Sequence, residues 1–133
     1  MKINPAKFID NLKRDKARGN LAPHQIILLI ALSNIYSISK SDTTEINVLN
    51  IEFQQVWKQH KNVFVSKNNT IGLPLKAFVN REYLQLTTSD VINDYRNNLE
   101  LQSKIESIKM DRILTRLFHD SDIKEYLISR IVR

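Results

Sequence analysis

Pro23-His24-Gln25-Ile26-Ile27-Leu28-Leu29-Ile30-Ala31-Leu32 is the stretch around which the rest of the chain must arrange itself. Seven consecutive apolar residues follow the polar pair His24-Gln25. Proline at a first helical position costs nothing, because its missing N–H would have no partner there. A helix apolar on every side has no face for water and belongs in the centre of a domain. The spacing therefore predicts a buried central helix from Pro23 to about Tyr36. The run is far shorter than the roughly 18 residues a membrane span needs, so no membrane partner is expected.

Outward from that helix the pattern is mostly helical. Asn4-Pro5 announces a first helix, with Phe8, Ile9 and Leu12 on one face and Gly19 as its stop. After the polar stretch from Ser37 to Thr44, Ile46 and Val48 alternate with polar residues and read as a short strand. Asn47 or Asn50 then caps a helix whose buried stripe is Phe53, Val56 and Trp57. Lys67-Asn68-Asn69-Thr70 reads as a turn. Leu75 to Val79 and Tyr83 to Leu86, on either side of Asn80-Arg81-Glu82, read as a β-hairpin. Thr88 or Ser89 caps a helix starting near Asp90, with Val91, Ile92 and Tyr95. Leu99 to Phe118 reads as one or two further helices, and Ser121 caps the last, with Ile123, Tyr126, Leu127 and Ile131. The expected class is α+β, mostly α: a helical domain with a small β-hairpin or sheet inserted among the helices. At 133 residues, positions 1–133 fit a single domain.

Composition narrows the chemistry. The chain is ordinary in hydrophobic (42%) and charged (26%) content, so it can build a core without staples. It has no Cys, which removes thiolate zinc sites, Cys nucleophiles and disulfides and suits a reducing, cytoplasmic setting. Two glycines, Gly19 and Gly72, are too few and too far apart for a phosphate-cradling glycine loop. His24, His60 and His119 stand far apart, with no metal-ligand spacing. A metal-dependent nuclease core would need an acid-x-Lys pair on a strand. Glu106-Ser107-Ile108-Lys109 has one residue too many and sits in a helical pattern. No catalytic residue, metal site or cofactor is expected, and a binding module is favoured over an enzyme. A small enzyme whose site is dispersed along the chain is the remaining catalytic alternative.

The formal charge is +6. Residues 1–40 hold seven Lys and Arg against two Asp, residues 41–90 five of each sign, and residues 91–133 eight cations against seven anions. The excess peaks at Lys13-Arg14-Asp15-Lys16-Ala17-Arg18. Clustered positive charge is the footprint of a polyanion binder, although a solvated helix face produces the same pattern.

Arg18-Gly19-Asn20-Leu21-Ala22-Pro23-His24-Gln25, with the apolar run behind it, resembles the start of the sulfur-binding domain of type IV modification-dependent restriction enzymes. In that family an Ala-Pro-His step opens a strongly apolar helix. Leu73-Pro74-Leu75-Lys76-Ala77-Phe78 with the following Tyr83 strand looks like the family's Pro-containing hairpin. Leu117 to Leu127 looks like its closing helix. The resemblance thus spans essentially the whole chain.

What the resemblance implies is recognition of double-stranded DNA whose backbone carries a phosphorothioate, without catalysis in this chain. In the family a nuclease domain follows the reader. This chain stops where the reader would end, so a nuclease partner or fused nuclease domain is implied, with the chain either a stand-alone reader or an excised one. The resemblance assigns the sulfur pocket to Leu73, Pro74 and Ala77. It assigns backbone contacts to Arg18, His24 and Gln25; Lys13, Arg14, Lys76, Arg81 and Arg96 are the further cations expected to contribute.

The physics of such a pocket is simple. Sulfur is larger than oxygen and a poorer hydrogen-bond acceptor. A phosphate oxygen pressed on a dry apolar wall is left unsatisfied, at a cost of about 1–3 kcal/mol. Sulfur loses less there and gains dispersion contacts. Proline has no N–H to offer an oxygen. Two departures from the family pattern stand out: Gln25 replaces a residue that is commonly basic, and Leu73 one that is often aromatic. They keep open a generic or otherwise-modified DNA binder, and a protein-interaction or adaptor domain with a basic face.

Overall fold

The computed structural model describes residues 4–12, 16–17, 20–21, 23–64 and 67–131. Its order is α1 (Pro5–Asp10), β1 (Lys16–Ala17), β2 (Asn20–Leu21), α2 (His24–Ser39), β3 (Thr43–Thr44), α3 (Ile46–His60), a 3-10 turn (Lys61–Val63), α4 (Gly72–Asn80), β4 (Leu84–Thr88), α5 (Asn98–Lys104), β5 (Ile105–Met110), α6 (Arg112–Phe118) and α7 (Ile123–Ser129). The class is α+β and mostly α. A three-stranded antiparallel sheet, ordered β3-β5-β4, accompanies the helices, and β1 and β2 form a separate two-residue ladder.

α2 is the centre, as its composition demands. Ile26 to Leu32 are all within 1% of full burial, and α3, α4, α6 and α7 pack around them. Its last turn closes on Lys40, which takes a left-handed φ of 58° and donates its N–H to the Tyr36 carbonyl at 2.9 Å. α1 has the expected cap, Asn4 Oδ1 accepting from the Lys7 N–H, but it ends at Asp10. Gly19, expected as its stop, lies outside the described residues.

Four local expectations are corrected. Ile46 and Val48 are not a strand. Ile46, Leu49, Phe53, Val56 and Trp57 bury one stripe of α3, while Val48 faces outward at 46% exposure; Glu45, not an asparagine, precedes the helix. A period of three and four beats a two-residue alternation once the stripe is followed further.

The Leu75–Val79 hairpin arm is helix α4. Ile71, Leu75 and Phe78 recur at helical spacing and are buried, and Pro74 sits in the first turn where its missing N–H is harmless. Asn80-Arg81-Glu82 is then the helix terminus rather than a hairpin turn. The N–H of Glu82 donates to Val79 and that of Tyr83 to Phe78, at 3.0 and 2.9 Å, with Glu82 at φ 63°. This is a Schellman closure, and the Tyr83 and Phe78 rings meet edge-on across it at 5.6 Å.

β4 pairs instead with β5, inside the stretch read as helical. Ile105 and Ile108 are three apart, which suits a helix, but Ile108 lies opposite Leu86, and Met110 opposite Leu84. Glu106 is the extra residue of a bulge, since Thr88 pairs with Ile105 and Thr87 with Ser107. Glu106 and Lys109 therefore do stand on a strand; the spacing objection is unchanged. No helix starts at Asp90: residues 89–97 are irregular, and Asn97 caps α5 by accepting from the Glu100 N–H at 3.1 Å. Before α7, Asp122 holds the cap position expected of Ser121.

Candidate nucleic-acid interface

The candidate residues divide between the start of α2, helix α4 and the loop before α5. At about 100° per residue, Leu73, Lys76 and Asn80 form the outward face of α4 and Leu75 and Phe78 its core face. Ala77 and Pro74 lie on one flank between them. The three pocket candidates are unequal: Leu73 is 48% exposed, Ala77 is half-buried and Pro74 is buried. An apolar wall on this helix is therefore carried by Leu73 and Ala77, one turn apart, with Pro74 beneath them.

That flank faces the start of α2. An Arg81 guanidinium N–H donates to Gln25 Oε1 at 3.5 Å, joining two segments 56 residues apart. Next to Gln25, His24 is held on two sides. Its Nε2 bonds the Asn68 carbonyl, and its ring lies 5.0 Å from that of Trp57. A carbonyl only accepts, so Nε2 carries the proton. Asn68 also orders its own turn, its Oδ1 accepting from the N–H and hydroxyl of Thr70. Beside Trp57 a hollow of about 280 Å³ is lined by Gln54, Lys58, Lys61 and Asn69. Lys58 and Lys61 extend the cationic surface near His24; on the sequence they were two unremarkable helix-end lysines.

The opposite flank of α4 meets the loop before α5. The Tyr95 carbonyl lies over Gly72, where a Cβ would come within 1.6 Å of its oxygen. Lys76 places its ammonium 5.8 Å from the centre of the Tyr95 ring. Arg96, the next residue, is exposed, but its Nε is 3.3 Å from Asp94 Oδ1. The backbone N–H and the side chain of Arg96 both donate to that carboxylate and hold it below the usual aspartate range. Arg96 thus presents a charge already partly compensated.

The loop itself is fixed by Glu100. Its carboxylate accepts the N–H groups of Asn93 and Asp94 at 2.6 and 3.0 Å and the Lys104 ammonium at 2.7 Å, while Lys104 also donates to the Val91 carbonyl. Nothing in the spacing of Glu100 and Lys104 foretells this, beyond an ordinary i,i+4 pair on a helix. The lone glycine before Pro74 was the available signal for the Tyr95 contact.

The structure thus brings His24, Gln25, Lys76, Arg81 and Arg96 around α4 together with Leu73, Pro74 and Ala77. Lys13, Arg14 and Arg18 lie outside the described residues. Tyr83, Phe53 and Trp57 are packing residues, the last two fully or nearly buried. Among the described residues no three His, Asp or Glu side chains are placed to hold a metal ion, and no helix is long and apolar enough to cross a membrane. Compared with known proteins, the chain matches no protein-family model and no curated protein.

Proposed function

We propose that this chain binds double-stranded DNA across helix α4 and the start of α2, and that it senses a phosphorothioate there. One observation carries the reading: Gln25 and Arg81 meet beside Ala77. The segment with the Ala-Pro-His step and the segment with the Pro74 motif are distant in sequence, yet they form one surface. On it, an apolar strip of Leu73 and Ala77 is flanked by Arg81 and Lys76. A sulfur atom on the strip would meet carbon, while the remaining phosphate charge would lie near the two cations. Phosphate contacts made by such cations are sequence-independent and salt-sensitive.

The buried position of Pro74 favours a second reading within the same class. With the ring beneath the surface, Leu73 and Ala77 alone would discriminate sulfur from oxygen, and the face would serve as a DNA backbone binder with little selectivity.

The test is binding to matched duplexes, with and without one phosphorothioate of defined stereochemistry, across a salt series. Preference for one sulfur diastereomer supports the sensor. Equal, salt-dependent binding to both duplexes supports the unselective binder. No binding at low salt removes both and leaves a protein-interaction domain with a basic face.

A further inference from the structure

β4 is an edge strand, and its outer side is open. The Asp111 N–H donates to the Tyr83 carbonyl at 2.9 Å, which sets the phase of the ladder with β5. In an antiparallel pair the backbone groups of alternate residues point to opposite sides. Tyr83, Gln85 and Thr87 therefore face β5, and Leu84, Leu86 and Thr88 face away from it. No hydrogen bond within the described residues takes up the outward groups of Leu84 and Leu86. Edge strands are normally protected by a charge, a proline or a covering segment. Leu84-Gln85-Leu86-Thr87-Thr88 has neither charge nor proline. A groove of about 970 Å³ runs along it, walled by Val79, Glu82, Ile92 and Tyr95, on the flank of α4 away from Gln25.

We propose that β4 pairs antiparallel with β4 of a second copy, joining the two three-stranded sheets into one across a two-fold axis. The strand is self-complementary, as a two-fold contact requires. Flanking charge selects the register. Centring the pair on Leu86 would set Glu82 opposite the partner's Asp90. Centring it on Gln85 sets Glu82 opposite the partner's Thr88 and brings Leu84 against the partner's Leu86, with no like charges facing. The outward amides and carbonyls of Leu84 and Leu86 then find partners, and the two Gln85 side chains meet on the polar face that also carries Thr43 and Lys109. Five residues form a small interface, about 17 Å of strand, so the dimer is reversible and concentration-dependent.

Sedimentation equilibrium of the full chain, from micromolar to millimolar concentration, tests this. A monomer–dimer equilibrium is expected. Gln85→Lys should weaken it by about fivefold, because two like charges then face each other. An equimolar mixture of Gln85→Lys and Gln85→Glu should associate again. Leu86→Pro should abolish association yet keep the helical circular dichroism, because the lost N–H points away from β5. A monomer at every concentration overturns the proposal, and so does a dimer indifferent to the Gln85 substitutions. If Leu86→Pro fails to fold, the Gln85 pair alone decides.

Discussion

The backbone carbonyl of Tyr95 rests on the Cα of Gly72, so that a methyl group at position 72 would fall 1.6 Å from the oxygen. Glycine is needed here for closeness of approach, not for an unusual backbone angle. The contact is the hinge between the two halves of the candidate interface, since Lys76 lies over the Tyr95 ring one turn along α4. Gly72→Ala must push backbone against backbone, which no side-chain rotation relieves. Its expected cost is about 2 kcal/mol or more, read from the urea midpoint.

Glu82 offers the opposite case. It occupies the left-handed position that closes α4, at φ 63°, where a side chain is strained and glycine is not. Glu82→Gly should stabilise the chain by about 1 kcal/mol in urea unfolding, with the Tyr83–Phe78 contact retained. A loss of stability would mean that the glutamate side chain makes a contact worth more than the strain.

Glu100 should make the loop before α5 sensitive to acid. The Lys104 ammonium, followed by the N–H of Asn93, holds its carboxyl below the ordinary glutamate value. A carboxylate depressed on folding contributes stability that is complete above its unfolded pKa and is lost as pH falls through the folded one. Glu100→Gln should therefore lower stability at neutral pH and flatten the loss between neutral and acid conditions. Hydrogen exchange at the Asn93 and Asp94 amides should report the loop directly, rising in the variant at neutral pH.

His60, at the end of α3, should titrate below its ordinary value, first because it is partly buried and second because Lys124 repels its charge. Lys124→Gln should raise that pKa part of the way back, in an NMR titration of the ring. The depressed value means that protonation opposes the fold, so this contribution is present above the unfolded pKa and is lost as pH falls through the folded one.

Arg81 should contribute one phosphate contact. Arg81→Gln is expected to reduce the slope of log affinity against log salt by about 0.9 for any duplex and to leave a sulfur preference intact. Ala77→Asn should do the reverse, erasing the preference while the salt slope stays. Equal losses in both variants would separate the apolar strip from any role in selection.

Much of this protein is legible in its residues. The run from Ile26 to Leu32 can only be a buried helix, since no other placement hides seven apolar side chains in a row. The Phe53, Val56, Trp57 stripe and the Asn4 cap are local in origin and stand as read. Nonlocal pairing was hidden. The Ile105–Met110 segment has a spacing that satisfies a helix, and it is a strand because Leu84 and Leu86 supply a partner. Asn80-Arg81-Glu82 suits a hairpin turn or a helix stop; the Ile71, Leu75, Phe78 stripe packing inward decides for the stop.

The candidate interface follows the same division. Residue chemistry alone put the cations and the apolar trio on offer. Only the tertiary structure set Arg81 against Gln25, buried Pro74 beneath Leu73 and Ala77, and pinned Tyr95 to Gly72. Burial of a helix is a property of its own side chains against water, so the sequence determines it. Which strand pairs, and which flank of a helix meets another segment, depends on groups tens of residues away, and that is decided only when the chain closes on itself.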